Sequence, residues 1–335
     1  MKLPTPKWWY VRSGVPAPVT RALLTPISWI WAWATARRIA RATPVDPGAP
    51  VICIGNLTAG GTGKTPVVRE LLRLLRAQGV AAHGLSRGYG GIQQGPLQVD
   101  PSRHTAADVG DEPLMMAADG PMWISADRVA GARAAVTSGA RVLVMDDGHQ
   151  NPTLRKALSL VVVDGETRDG EWPLGDGSVF PAGPLREPLA VGLGRADAVI
   201  LVLPADLPAP DPELVAMFAG KPVLVVRITP VAPPPSGPQL GFAGIGKPWK
   251  FERALKAASC DLVEFANFPD HADYTQALLA RLADMAADHG AGLVTTEKDW
   301  VRLPPAWRER IKAWPIRATF EAPADLDRLL SELRL

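Results

Sequence analysis

Short unbroken apolar runs alternate with stretches of helical period along this chain, from residue 51 to its end. Runs of about four to eight aliphatic residues bounded by turn formers predict strands buried on both faces, and apolar positions three and four apart predict helices packed on them. Strands are expected at 51–54, 80–85, 122–125, 141–147, 160–163, 198–203, 223–228, 240–244, 262–265, 292–295 and 316–320. Helices are expected after residue 64 and over 114–118, 127–138, 212–218, 249–258, 275–289 and 323–333. Such alternation predicts an α/β protein of two doubly wound α/β/α lobes, behind an N-terminal helix. The expected division is 1–42 for that helical segment, 43–157 for the first lobe and 158–335 for the second, with the proline-dense 229–238 as a connector.

The first segment breaks the pattern. Trp8 and Trp9 precede 20–42, which carries Trp29, Trp31 and Trp33 and closes on Arg37, Arg38 and Arg41. With Thr25 as cap and Pro26 as first helical residue, the helix runs about sixteen residues, roughly 24 Å. A bilayer core is roughly 30 Å thick, so the segment is short for a span. Its Trp and Arg content suits a helix lying among anionic headgroups. The same segment also reads as an apolar helix packed on the protein's own core. A secretory signal, suggested by Lys2, Lys7 and Arg12, conflicts with the rest of the chain, since export would separate a phosphate-binding loop from ATP.

Composition narrows the function. Of 335 residues, 36 are Lys or Arg and 34 Asp or Glu, a formal net charge of +2, which argues against a nucleic-acid protein. Cys53 and Cys260 stand in different halves without metal-ligand spacing and read as small apolar residues in a reducing compartment.

The candidate chemistry begins where strand 51–54 meets Thr58, Ala59, Gly60, Gly61, Thr62, Gly63, Lys64 and Thr65. Glycines let successive backbone N–H groups turn toward one anion, the helix N-terminus adds partial positive charge, and Lys64 adds a full one. Thr65 is positioned for Mg²⁺, and Pro66 suits a first helical position. Thr58 occupies the place of the first glycine of the usual GxxxxGK[ST] pattern. A triphosphate, ATP, is therefore the expected ligand, and the first lobe, 43–157, is expected to be a P-loop NTPase-like nucleotide-binding domain. Asp146 and Asp147 end a strand expected to lie parallel to the first, where P-loop enzymes present an acid to Mg²⁺. Asp111 and Glu112 open a helix, either as acids favoured by its dipole or as catalytic groups. Arg87 and Tyr89 lie in a glycine-rich loop, and Arg186 is held among prolines in a way that suits a phosphate.

The ordered set TAGGTGKTP, SRGYGG, GDEP, DDGHQ, FPAGPLREP, GFAGIGKP, FPDHADY and VTTEKDW resembles the tetraacyldisaccharide 4'-kinase family of lipid A biosynthesis over nearly the whole chain. The resemblance implies ATP-dependent phosphorylation of the 4'-hydroxyl of a tetraacylated glucosamine disaccharide 1-phosphate at the cytoplasmic face of a bacterial inner membrane. It places Lys64 and Thr65 on ATP and Mg²⁺, Asp146 and Asp147 near the metal, and Asp111 as the base with His271 as its partner. It assigns Arg87, Tyr89, Glu112, Arg128, Gln150, Arg186 and Glu187 to substrate or phosphate contacts. The lipid disaccharide and an anionic membrane surface are the partners; no nucleic acid and no oligomer are expected. Lobe closure is expected to bring Asp111 and His271 together.

Two departures stand out. The family's DDGFQH reads here Asp147-Gly148-His149-Gln150-Asn151, and Ala272 follows His271 where a second His is common. A rival reading, a membrane-bound nucleotide-switch ATPase, lacks its extra lysine because Ala59 stands there.

Overall fold

The structure is a computed structural model that describes residues 6–12 and 17–333; Lys2 and the extreme ends of the first and last segments lie outside them. Among the described residues there are thirteen strands, β1 (Val51–Gly55), β2 (Ala82–Ser86), β3 (Leu97–Gln98), β4 (Met122–Ile124), β5 (Val142–Asp146), β6 (Leu158–Asp164), β7 (Ala198–Pro204), β8 (Val223–Pro230), β9 (Gln239–Ala243), β10 (Leu262–Asn267), β11 (Gly292–Thr295), β12 (Ile311–Ala313) and β13 (Ile316–Phe320).

Nine of these form one sheet in the order β13-β8-β7-β6-β1-β5-β2-β4-β3, and four form a second in the order β10-β9-β11-β12. The second sheet is parallel throughout. The first is parallel except where β13 meets β8 and β3 meets β4. β1 lies at its centre with every residue buried, because helices cover both faces and nothing on the strand is free to be polar. The Lys64–Ala77 helix buries Val67, Val68, Leu71, Leu72 and Leu75 against that sheet.

The sheets divide the chain differently from the sequence expectation. The limit set at 157/158 falls between β5 and β6, which flank β1 on either side. β6, β7 and β8 extend the nucleotide sheet because their apolar runs pair successively outward from β1. The proline-dense connector is where the chain leaves for the second sheet. It returns at β13, and the final helix, Pro323–Ser331, buries Leu326 and Leu330 in the core shared with the Lys64–Ala77 helix.

The N-terminal helix runs Pro18–Arg41, 24 residues. Thr25 does not cap it, and its hydroxyl donates to the Arg21 carbonyl at 2.8 Å instead. Pro18 takes the first-turn place expected for Pro26, which sits inside and costs one ladder bond. The helix is inverted in polarity. Arg21, Ser28 and Thr35, seven apart, are buried, whereas Val19, Leu23, Ile27, Ile30 and Trp33 are 52–72% exposed. Ser28 accepts from the Ala182 N–H, and Trp31 donates its indole N–H to the Arg186 carbonyl. Among the described residues no helix is long and apolar enough to cross a membrane.

Candidate active site

Between β1 and its helix the chain makes the expected loop. Gly60 and Gly63 have φ of 89° and 83°, where a side chain would be strained. The helix begins at Lys64, so Pro66 stands third rather than first, still within the turn whose N–H groups lack intrahelical partners. Neighbours hold the loop from both sides. The Ala59 N–H donates to the Pro184 carbonyl, Arg186 Nε to the Thr58 carbonyl, and the Tyr10 hydroxyl to the Ala59 carbonyl. Thr62 is buried with its hydroxyl unpartnered. From the second sheet Gly246 comes so close that a Cβ there would lie 3.3 Å from the Gly61 nitrogen.

Register brings the strand-end acids to this loop, since Asp146 on β5 pairs with Ile54 on β1. Asp146 is fully buried, and its Oδ1 has no hydrogen-bond partner. Burial, with the nearby Glu112 and Asp147 charges, pushes its carboxyl up to about 7 against Lys64 and Arg128. Asp147 adopts φ 50°, in the left-handed region that aspartate enters more readily than most side chains. Desolvation in the cleft works against its charge, yet Lys64 at 3.5 Å and Arg186 at 2.9 Å hold the carboxyl down at about 2.

The second cluster joins the two sheets. Asp111 is the first residue of the Asp111–Ala117 helix and is 5% exposed. Its Oδ2 lies 2.8 Å from His271 Nδ1, which therefore carries the proton in the neutral ring. Burial raises the Asp111 carboxyl, but the hydrogen bond from His271 and the charges of Lys298 and Arg302 outweigh it and hold it at about 2. His271 adopts φ 57°, with its own N–H on the Gly244 carbonyl. The Asp111–His271 contact expected only on closure is thus already made. Ion pairs between the sheets, Arg69 with Glu297 at 3.0 Å and Lys298 with Glu112 at 3.1 Å, supply the physical reason. Glu112 and Lys64 both act electrostatically on Asp146, so the GDEP segment and the end of the glycine loop lie near the same buried acid.

The other expected residues separate into two groups. Arg87 follows β2 at the surface, Tyr89 is exposed with its ring 6.0 Å from that of His271, and buried Arg128 faces the strand-end acids with Nε unpartnered. Arg186 reaches Asp147. Gln150 and Glu187, by contrast, brace the protein: Gln150 donates to Asn56 and Glu187, and Glu187 is buried against Arg195. Thr65 follows Lys64 in the helix's first turn.

The departures at 149 and 151 also resolve. His149 is buried between the Ser159 hydroxyl and the Gly192 carbonyl, and burial pulls its pKa down to about 4, so it is a neutral packing residue. Asn151 accepts from the Thr153 N–H and hydroxyl in a local turn. His149 explains Gly55, where a Cβ would lie 2.4 Å from His149 Cβ and 2.8 Å from its backbone nitrogen. Gly55→Ala is expected to cost about 1–3 kcal/mol in urea unfolding. Unchanged stability would show that the turn carrying His149 yields freely there.

Sequence reasoning missed Lys298 and Arg302. Their signal was Thr296-x-x-Asp299, a helix-start pattern in which Thr296 accepts from the Asp299 N–H.

The family model LpxK, Tetraacyldisaccharide-1-P 4'-kinase, matches residues 20–334. The chain belongs to the tetraacyldisaccharide 4'-kinase family. It is 69% identical to the tetraacyldisaccharide 4'-kinase of Caulobacter vibrioides over 335 residues, with both chains fully covered. It is 50% identical to that of Maricaulis maris, covering 98% of this chain and 96% of the relative. The structure of LpxK from Aquifex aeolicus in complex with ATP aligns with a TM-score of 0.75 at 27% identity, covering 94% of this chain and 99% of that one. The protein is a kinase of lipid A biosynthesis, as its motifs implied.

Proposed function

We propose that the chain transfers the γ-phosphoryl group of ATP to the 4'-hydroxyl of a tetraacylated disaccharide 1-phosphate, with Asp111 accepting the hydroxyl proton. The observation that carries this reading is the Asp111–His271 pair, 2.8 Å apart, whose neighbour Glu112 acts electrostatically on the same buried Asp146 as Lys64 does. The O–P bond to the sugar forms, the bond to ADP breaks, and the proton passes to Asp111. Held near 2, this carboxylate stays ionised at neutral pH. It is a weak base, and a loose phosphoryl-transfer transition state suits one, because the acceptor proton leaves late and alignment does most of the catalysis. His271 fixes the carboxylate's rotamer.

Lys64 and the backbone amides of 60–65 bind the phosphates, while Arg87, Tyr89, Arg128 and Arg186 contact phosphate or sugar. Asp146, Asp147 and Thr65 fit Mg²⁺, which takes one or two carboxylates plus phosphate oxygens rather than a full protein cage. Asp146, buried with an unpartnered oxygen and a raised pKa, is a group a cation would return to its charged form. When bound, the metal would neutralise charge on the transferring group. Incubation with labelled ATP, Mg²⁺ and the lipid disaccharide tests the assignment: labelled lipid is expected, and ATP hydrolysis without labelled lipid would favour the nucleotide-switch reading.

The inverted N-terminal helix supports docking on an anionic bilayer at the cytoplasmic face, with Leu23, Ile30 and Trp33 entering the headgroup region and Arg37, Arg38 and Arg41 near lipid charge. Leu23→Ser, Ile30→Ser and Trp33→Ser together should abolish co-sedimentation with anionic vesicles while leaving the melting temperature unchanged. Undiminished sedimentation would contradict this docking.

A further inference from the structure

The two members of the proposed catalytic pair come from different sheets, so something must set their distance. Asp111 is followed by Glu112 on the large-sheet side, and His271 is preceded by Asp270 on a loop of the small sheet. Lys298 lies 3.1 Å from Glu112 and 3.7 Å from Asp270, so one ammonium ties the neighbour of the base to the neighbour of its partner. Its side chain is only 19% exposed, so little water screens the bridge.

The turn that carries Lys298 is itself anchored. Glu297 pairs with Arg69 on the nucleotide helix at 3.0 Å. Asp299, fully buried, accepts from the Tyr274 hydroxyl and the Gly244 N–H and pairs with Arg302. Gly244 is also the residue whose carbonyl holds the His271 N–H. Three successive side chains therefore grip the nucleotide helix, the GDEP acid and the His271 loop.

We propose that Lys298 is a positioning residue of the kinase reaction, bridging Glu112 and Asp270 so that Asp111 and His271 meet in register with Asp111 ionised. This rests on the reading of Asp111 as base. Around Asp111 stand Glu112 from its own helix, His271 and Asp270 from the loop after β10, Lys298 and Arg302 from the segment after β11, and Tyr89 from the loop after β2. Three of these groups are carboxylates, Asp111 included. Without the ammonium, their mutual repulsion acts on one imidazole and Arg302 alone, which favours protonated Asp111 and parts the two loops.

The test compares Lys298→Met, Lys298→Arg and Asp111→Asn in the full-length protein, by pH profiles of kcat/KM for labelled-lipid formation, by ATP affinity and by thermal melting. Lys298→Met is expected to lose about 10- to 100-fold in kcat, as a misaligned acceptor does, with KM for ATP kept. Its acid limb should move up by about one unit or more, the size of an opposite charge removed near a carboxylate. Lys298→Arg, which keeps the charge, should restore the wild-type limb. Should Lys298→Met not fold, Lys298→Gln, which still donates to Glu112, carries the same comparison. A neutral variant whose acid limb superimposes on wild type overturns the inference even if its rate falls, because a merely structural lysine would behave so. An active Asp111→Asn would overturn the base reading and this inference with it, whereas an inactive Asp111→Asn beside an unmoved Lys298→Met limb would overturn this inference alone.

Discussion

Asp111→Asn is expected to lower kcat by about two to four decades while leaving ATP affinity near its original value, the signature of a lost proton acceptor. Asparagine keeps the volume and a hydrogen bond to His271, so the change falls on charge and proton acceptance. His271→Ala should act in the same direction, since it leaves the carboxylate without the donor that fixes its rotamer. The two losses should not add, because each disables the same pair. Stability gives an independent check. Asp111 is held at about 2 in the fold, below its unfolded value of about 4. Its contribution is therefore complete above the unfolded value and is lost as pH falls through the folded one, so Asp111→Asn should flatten the acid decline in melting temperature. A variant with near-normal turnover would remove Asp111 from the base role.

Lys64→Met is expected to weaken ATP binding and to cut kcat by about two to three decades, the size of losing one pre-organised charge aimed at the transition state. Unlike Asp111→Asn it changes both quantities, because the ammonium meets phosphate in the ground state as well as during transfer. Lys64 sits on the first turn of the nucleotide helix and is held by Asp147 at 3.5 Å. Removing it leaves Asp147 with Arg186 alone, and Asp146 loses the charge that most opposes its protonation. Isothermal titration with ATP and single-turnover rates would separate the two effects. Unchanged ATP affinity would mean that the backbone amides alone hold the triphosphate.

The strands of the large sheet were legible because burial on both faces writes a continuous apolar run, as in 51–54, 160–163 and 198–203. The lobe boundary was not. No local pattern tells that β6 pairs with β1 rather than starting a new sheet, since both readings need the same apolar run. The return of β13 to the first sheet is likewise a long-range pairing. Thr25-Pro26 looked like a helix start because that dipeptide has cap chemistry, but the helix had already begun at Pro18. The phosphate loop and strand-end acids were legible because phosphate chemistry fixes residue types at short spacing. The Asp111–His271 pair lies 160 positions apart and was legible only through family resemblance. Lys298 and Arg302 escaped because a charged residue after a strand has many ordinary uses.

A crystal structure with a non-hydrolysable ATP analogue and the lipid disaccharide tests the central claim most directly. The γ-phosphate should lie between Lys64 and Asp111, with the sugar 4'-oxygen within hydrogen-bond reach of the Asp111 carboxylate. A γ-phosphate turned away from Asp111, with the sugar oxygen approached by another side chain, would contradict the account.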